Sequence, residues 1–132
     1  MSDLNVEIVT PDGVVFFEKA QSCWAPGAKG QFQVLKNHAD FLGVLNVGEI
    51  RLSRESGELS LATSGGYIEV RKNKISIVVE SAEFADKIDV DRAKSAEKRA
   101  RERIIKKGEI DIVRAEFALA RALNRIRIAS QI

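Results

Sequence analysis

The spacing of apolar residues changes once along the chain, near Phe84, and this change restricts the folds that the sequence can adopt. Before that point apolar and polar residues alternate, as in residues 4–9, which is the period of a half-buried strand. After it the apolar residues recur every three or four positions, which is the period of a helix with one buried face. The sequence therefore predicts two domains, residues 1–84 and residues 85–132.

The first domain has the pattern of many short strands. Turn sequences such as Pro11-Asp12-Gly13 and Ser64-Gly65-Gly66 interrupt the alternating runs, because glycine tolerates positive φ and proline presets a turn. The predicted strands are residues 4–9, 14–17, 21–24, 31–35, 49–53, 58–63, 67–70 and 74–80. Short strands at this close spacing predict an antiparallel β-sandwich or barrel.

The second domain has the pattern of two amphipathic helices. In the first helix the apolar residues share one narrow face, and Asp89 is a suitable N-cap. In the second helix the apolar residues from Ile112 to Ala129 follow a heptad seam. A connection around Gly108 would fold the two helices into an antiparallel hairpin. Alanine dominates both faces and buries little area, so we expect the hairpin to depend on docking for its stability.

The charge is divided between the two domains. The whole chain has 21 basic and 19 acidic residues, a formal net charge of +2. Residues 1–84 carry 8 basic and 11 acidic side chains, whereas residues 85–132 carry 13 basic and 8 acidic ones. A mildly acidic sandwich therefore precedes a basic hairpin, and the nearly neutral total describes neither part.

Three arginines of the hairpin form a candidate anion site. Counted from a turn at Gly108, Arg92 lies level with position 124 on the second helix, where Arg121 and Arg125 share a face. Guanidinium groups match phosphate oxygens bidentately, so the cluster could hold a phosphate-bearing ligand. The alternative is a solvated basic face with ordinary ion pairs along each helix.

The sequence contains no recognisable catalytic or metal-binding arrangement. His38 is the only histidine and Cys23 the only cysteine, so we predict neither a disulfide nor a cysteine metal site. His38 lies in the loop 36–40, where it shapes a turn or meets a partner. No Walker-type loop, no run of about 20 apolar residues and no secretion signal is present, so we expect no membrane span and folding in the cytosol.

The order of several motifs resembles the epsilon subunit of F-type ATP synthases over essentially the whole chain. The motifs are Val9-Thr10-Pro11-Asp12-Gly13, Asn37-His38-Ala39, Ser64-Gly65-Gly66-Tyr67-Ile68-Glu69-Val70 with Asn73, Ala82-Glu83, Ile88-Asp89-Val90-Asp91-Arg92-Ala93 and Arg121-Ala122-Leu123-Asn124-Arg125. The resemblance implies an α+β fold, in which an N-terminal antiparallel β-sandwich of about ten strands precedes a C-terminal antiparallel two-helix hairpin. This agrees with the strand and helix pattern.

The resemblance also implies a non-catalytic subunit of a rotor stalk. In this family the sandwich binds the gamma subunit and the ring of c subunits, as a peripheral protein at the cytoplasmic face of the cell membrane. The helices either fold against the sandwich or extend along gamma to the alpha and beta subunits, where they hinder ATP hydrolysis. A hairpin of low intrinsic stability suits such a switch, because the two states must be close in free energy.

The run from Ile88 to Ala93 resembles the ATP-binding signature of some bacterial members of the family. The resemblance implies that ATP is a regulatory ligand and that no cofactor is required. The implied ATP-binding residues are Glu83, Ile88, Asp89, Arg92, Ala93, Arg121 and Arg125. The arginines would meet the phosphates, and the others would serve the ribose, the adenine or the helix start.

A second set of residues is expected to contact protein partners. Basic side chains of the hairpin would face acidic surfaces of the beta subunits in the extended state, and His38 lies in a loop near the rotor ring. The predicted contact residues are His38, Arg99, Arg101, Arg103, Lys106, Lys107 and Arg114. The loop departs from the family pattern, because residues 27–41 lack both of the family's prolines.

Two other functions remain open from the sequence. One is a module whose principal role is to sense ATP through the hairpin. The other is a nucleic-acid binder that uses the basic run 98–107, although no aromatic residues lie nearby for stacking on bases and the rest of the chain is acidic.

Overall fold

The computed structural model describes residues 3–105 and 112–131. Within these ranges ten strands precede two helices, which confirms the predicted fold class. The strands are β1 Leu4–Thr10, β2 Gly13–Ala20, β3 Ser22–Gly27, β4 Gly30–Val34, β5 Phe41–Leu45, β6 Gly48–Arg54, β7 Gly57–Thr63, β8 Gly66–Arg71, β9 Lys74–Val79 and β10 Ala82–Phe84. The helices are α1 Val90–Ile105 and α2 Ile112–Ala129, and a 3-10 turn at Ala85–Lys87 leads towards α1.

One continuous sheet folds over on itself to make the sandwich. The strand order is β10-β7-β6-β3-β5-β8-β9-β1-β2, with β4 paired to β3. Among the described strands β1 and β9 run parallel, and the other pairs are antiparallel. The inward side chains form one apolar core, in which Leu4, Ile50, Leu61, Ile68 and Ile77 are fully buried. Parallel pairing needs a long connection, and here β2 to β8 separate the two strands in sequence.

Two strands are not apparent from the sequence. In β5 the exposed residues Leu42 and Val44 are apolar, so the alternation that reveals a strand is absent. β10 has only three residues, too few for a period. β3 also continues through Pro26 and Gly27, residue types that usually mark turns. Proline lacks an N–H, but its carbonyl accepts the Asn46 N–H at 2.8 Å.

Alanine residues form the contact between the two helices. Ala93 and Ala100 of α1 are buried, as are Ala115 and Ala122 of α2. These positions belong to the predicted apolar faces, so the sequence pattern identified the surfaces by which α1 and α2 pack together. Such small side chains allow close approach and bury little area each.

The start of α1 agrees with its predicted cap. Asp89 Oδ1 accepts a hydrogen bond from the Arg92 N–H at 3.0 Å, which satisfies one of the free amides of the first turn. The predicted connection at Gly108 and the two cations before it, Lys106 and Lys107, lie outside the described residues.

The C-terminal half of α2 docks on the sandwich. Ile128 is fully buried and packs with Ala62 of β7 and Ile88, in a cluster separate from the sandwich core. Nearby, the Asn124 Nδ2 donates a buried hydrogen bond of 2.8 Å to the carbonyl oxygen of Gly48. The hairpin is therefore attached to the sandwich by a small apolar cluster and a few polar contacts.

Candidate functional site

A groove lies between the two helices of the hairpin, and arginines surround it. Its volume is about 290 Å3. The lining residues are Ala96, Arg99, Ala100, Arg103, Ala118, Arg121, Ala122 and Arg125. Alanine side chains end at Cβ and leave room between the helices, while the arginine side chains reach the opening. We call this site the arginine groove.

Both helices contribute to the arginine groove through the same residue spacing. Each contains Ala-x-x-Arg-Ala-x-x-Arg, at residues 96–103 in α1 and at residues 118–125 in α2. Residues three and four apart share a face of a helix, so each repeat presents two alanines and two arginines together. The two repeats face each other, which brings four guanidinium groups to one opening.

Carboxylates in the described part of the chain neutralise only part of this positive charge. Arg125 Nε lies 2.6 Å from Oε1 of Glu83, on β10. Among residues 3–105 and 112–131, no carboxylate lies within ion-pair distance of Arg99, Arg103 or Arg121. Like charges at one opening repel each other, and a bound anion would relieve that repulsion.

Glu83 lies at the junction between the sandwich and α2. Its Oε1 is buried and has no hydrogen-bond partner in the described part of the chain, although Arg125 Nε is close, so the contact is an ion pair without a directed N–H···O bond. About a third of each side chain is exposed, at 33% and 35%. Such a pair contributes about 1 kcal/mol or less. An anion in the arginine groove would therefore compete with a carboxylate that holds Arg125 only weakly.

The structure brings together only some of the predicted phosphate-binding residues. Arg121 and Arg125 line the arginine groove, but Arg92 does not. Arg92 precedes the lining repeat of α1 by four residues, which is about 6 Å along a helix axis. The sequence predicts that Arg92 lies beside position 124 of α2. In the structure the repeat 96–103 of α1, and not Arg92, lies opposite residues 118–125.

The other predicted ATP-binding residues have identifiable contacts within the fold. Ile88 packs under Ile128 of α2, and Ala93 is buried on α1. Asp89 caps α1, and Glu83 pairs with Arg125. These four residues surround the base of the hairpin rather than the arginine groove.

Arg99 and Arg103 line the groove, although the sequence predicts them as contacts to beta subunits. The repeated Ala-x-x-Arg-Ala-x-x-Arg spacing was the signal that could have placed them there. Its two copies have matching small and basic positions, as expected for antiparallel helices that share a cleft.

The remaining basic residues of the hairpin are distributed differently. Arg101 Nε lies 3.0 Å from Glu97 Oε2, one helical turn away. Arg114 is exposed near the start of α2, and Lys106 and Lys107 are outside the described residues. Within the described part of the run, residues 98–105, the arginines therefore divide between the groove and an ion pair.

A second groove lies on the sandwich beside the His38 loop. Its volume is about 660 Å3, and it is lined by residues 27–32, residues 41–44 and His38. The Phe41 ring lies edge-to-face against Phe32, with 5.4 Å between ring centroids, and against His38, with 6.3 Å. Gly43 makes room for this ring, since a Cβ there would lie 2.6 Å from two Phe41 ring carbons. We call this site the loop groove.

The His38 ring is oriented by a local hydrogen bond. Its Nδ1 lies 2.7 Å from the carbonyl oxygen of Ala39. A carbonyl oxygen can only accept, so Nδ1 carries the proton. In the neutral ring this leaves Nε2 as an acceptor for a partner's donor.

An exposed apolar row crosses the outer face of the sandwich. The register of β5, β8, β9, β1 and β2 aligns Val44, Tyr67, Val78, Val9 and Val14 side by side. Tyr67 is 61% exposed and Val78 55% exposed. Strands lie about 4.8 Å apart, so the row is about 19 Å wide. We call this row the outer stripe; a contiguous apolar surface of this kind is typical of a binding interface.

Three further features concern catalysis, metals and membranes. Burial raises the pKa of the Cys23 thiol to about 12, so the reactive thiolate is scarce at neutral pH. Within residues 3–105 and 112–131, no three His, Cys, Asp or Glu side chains are grouped as metal ligands. Neither of the two described helices has the length and apolar character needed to cross a bilayer.

The fold has exposed apolar and basic surfaces, which are typical of a protein that binds partners. Residues 3–85 match the family described as the beta-sandwich domain of the ATP synthase delta/epsilon chain, and residues 86–130 match the long alpha-helix domain of the same chain. The chain belongs to this family and is a non-catalytic, epsilon-type subunit of ATP synthase.

Curated relatives cover nearly the whole chain. The ATP synthase epsilon chain of Desulforamulus reducens is 45% identical over 126 residues, which are 95% of this chain and 96% of that protein. The epsilon chain of Bacillus pumilus is 40% identical over 99% of this chain and 100% of its own length.

A solved structure has the same fold. A chain of the Euglena gracilis mitochondrial ATP synthase matches with a TM-score of 0.85 and 19% identity, over 100% of this chain and 83% of that chain. A chain from the central stalk and c-ring assembly of Tetrahymena thermophila matches with a TM-score of 0.56 and 17% identity, over 96% of this chain and 93% of that one. At these identities the likeness concerns the fold alone.

Proposed function

We propose that this chain is a rotor-stalk subunit that couples rotation to ATP synthesis and whose helices restrain ATP hydrolysis. The single observation that carries the proposal is the outer stripe, an exposed apolar row about 19 Å wide that no other described segment covers. A subunit held in a rotating stalk needs a broad, rigid contact of this kind. The epsilon-type sequence and the two-helix hairpin support the same role.

The outer stripe is the proposed contact for the gamma subunit. It is built on paired strands, and the backbone hydrogen bonds of the sheet fix the spacing of its side chains. The loop groove is the proposed contact for the ring of c subunits. Val44 belongs to both surfaces, so the two partners would meet along one continuous apolar region.

The hairpin is the proposed regulatory element. Its docking through Ile128, Asn124 and Arg125 buries little apolar surface, so the docked and extended states differ modestly in free energy. In the extended state its basic residues would face acidic surfaces of the alpha and beta subunits. We expect the whole chain to be peripheral at the cytoplasmic face of the membrane, held there by its partners.

Removal of residues 85–132 tests the regulatory part of this proposal. We expect ATP hydrolysis by the assembled complex to rise, by about two-fold if the hairpin inhibits half of the complexes at rest. The measurement is steady-state hydrolysis by complexes that carry the full chain or the truncated chain, with equal gamma content as the control. Unchanged hydrolysis would show that the hairpin is not inhibitory.

A second proposed activity is the binding of ATP as a regulator. It is supported by Arg99, Arg103 and Arg121 of the arginine groove, which have no ion-pair partner among residues 3–105 and 112–131. The triphosphate would lie among Arg99, Arg103 and Arg121, with Arg125 shared between the ligand and Glu83. Ligand binding would then favour the compact state, because the groove exists only while the two repeats face each other. ATP would act here as a regulator and not as a substrate.

Calorimetric titration of the isolated protein with ATP tests this site. We expect Arg121→Ala to weaken binding about 10-fold or more, since it removes a charge-assisted hydrogen bond to phosphate. Arg99→Ala should weaken ATP binding if the arginine groove holds the phosphates. Arg92→Ala should weaken it if the phosphates instead lie near Arg92, at the base of the hairpin. Arg101→Ala, whose guanidinium pairs with Glu97, is the matched control. A parent protein that gives no heat at about millimolar ATP would rule the activity out.

A further inference from the structure

Asn73 links three separate segments at the end of the sandwich next to the loop groove. It follows Lys72 in the turn between β8 and β9, and both residues have positive φ, at +64° and +47°. Its carbonyl oxygen accepts the Asn5 N–H at 2.9 Å. Its side-chain Oδ1 accepts the Asn37 N–H at 2.7 Å. The side chain thereby ties the β8–β9 turn to the loop between β4 and β5.

The Asn37 end of this bond belongs to a tight turn that carries His38. Asn37 itself has a φ of +65°, and the His38 N–H donates to the Leu35 carbonyl at 3.1 Å. The hydrogen bond of this turn does not use the Asn37 N–H, so that N–H can donate to an acceptor outside the turn. The Asn73 carboxamide supplies the acceptor, at a distance of 36 residues in sequence.

His38 connects this turn to the wall of the loop groove. Its ring lies edge-to-face with Phe41, and Phe41 lies edge-to-face with Phe32 on β4. A continuous series of contacts therefore runs from Asn73 through Asn37 and His38 to the aromatic wall. Rotation of the 35–38 turn would move the His38 ring and with it the edge of the groove.

We propose that Asn73 is a positioning residue for the rotor-ring contact: its carboxamide holds the 35–38 turn so that His38 and Phe41 present the loop groove to the ring. This inference rests on the proposed function of the loop groove. Asn73 does not line that groove, so its effect would be indirect. An ordered loop binds more tightly than a mobile one, because less conformational freedom is lost on binding.

The residue type at position 73 has to meet two separate demands. Positive φ at the turn is met by Gly, Asn or Asp. Acceptance of the Asn37 N–H is met by Asn or Asp and not by Gly. The two demands can therefore be separated by substitution without disturbing the turn itself, and the bonded groups are exposed, so folding is little affected.

The test compares three full-length variants, Asn73→Gly, Asn73→Asp and Asn37→Gly, for binding to purified c ring and to the gamma subunit. We expect Asn73→Gly to weaken ring binding about 10-fold with gamma binding unchanged. Asn73→Asp keeps the acceptor and should restore ring binding. Asn37→Gly keeps the N–H donor and the positive φ. It loses only the long contact of 3.5 Å that Asn73 Nδ2 donates to Asn37 Oδ1, so it should bind the ring as the parent does. The His38 ring resonances should shift in Asn73→Gly and return towards their parental positions in Asn73→Asp.

Two different results would contradict this inference, and they can be told apart. Equal ring affinity of the parent and Asn73→Gly would show that the Asn73 side chain does not position the loop groove, while the ring contact itself would stand. A parent protein that binds gamma but not the ring would overturn the ring contact and the role of Asn73 with it. Loss of gamma binding in Asn73→Gly would indicate a general structural effect and would also overturn the inference.

Discussion

Val78→Asp is expected to weaken binding of this chain to the gamma subunit by about 100-fold or more. Val78 lies at the middle of the outer stripe, between Tyr67 on β8 and Val9 on β1. Residues near the centre of an interface contribute most of the binding free energy, commonly 2 kcal/mol or more. An aspartate at this position would also have to lose its hydration without a partner, which adds to the cost.

The same substitution should leave the isolated protein folded. The Val78 side chain is 55% exposed on the outer face, and its strand neighbours Ile77 and Val79 supply the buried contacts. The loss of strand preference from Val to Asp is about 1 kcal/mol at most. Binding and thermal unfolding can therefore be measured on the same variant and should respond differently.

Asn5→Asp is the matched control for Val78→Asp. Asn5 is exposed on the same face of the sheet, four residues before Val9 on β1, and it lies outside the outer stripe. Its register neighbours are Lys19 and Lys74, which accommodate a negative charge. We expect Asn5→Asp to bind gamma as the parent does. Gamma binding by Val78→Asp equal to that of this control would show that the stripe is not the gamma contact.

Ile128→Ala is expected to release α2 from the sandwich. Ile128 is fully buried in the cluster with Ala62 and Ile88, and removal of three buried carbons at such a site costs about 2–5 kcal/mol. The two polar contacts of Asn124 and Arg125 contribute less than this. Hydrogen exchange in residues 112–131 should therefore lose most of its protection.

Protection of the sandwich should persist in this variant, because the Ile128 cluster is separate from the sandwich core. Leu123→Ala on the same helix is the matched control, since Leu123 is 40% exposed. In the assembled complex Ile128→Ala should lower ATP hydrolysis, because it favours the extended state, whereas removal of the hairpin should raise it. Retained protection of α2 in Ile128→Ala would show that the docked state does not depend on this cluster.

Prediction of the strands succeeded where only one face is buried. Alternation is clear at Leu4–Thr10 and Lys74–Val79, because the core takes every second residue. It fails at β5, where Leu42 and Val44 are apolar on the exposed face as well. The apolar residues on the exposed face of β5 belong to the surface proposed for partner binding. They remove the alternation by which this strand could be recognised in the sequence. The parallel pairing of β1 with β9 depends on contacts between distant segments, which a local pattern does not carry.

The candidate site on the hairpin was only partly predictable. Arg121 and Arg125 follow from the helical period and from the family motif, and both line the arginine groove. Arg92 was expected beside them, but Arg99 and Arg103 occupy that part of the groove instead. Counting residues from the turn at Gly108 gives only an approximate position along the partner helix. An error of about one helical turn is enough to place Arg92 in the groove instead of Arg99 and Arg103.

The sequence by itself determined the two structural units, the strand and helix periods, the cap at Asp89 and the family, because these depend on residues near each other along the chain or on motif order. Only the tertiary structure decided which surfaces are exposed and which side chains meet across the fold. The outer stripe, the arginine groove and the bond from Asn73 to Asn37 each join segments far apart in sequence. Their formation depends on how the strands and helices pack, and packing is a property of the whole chain.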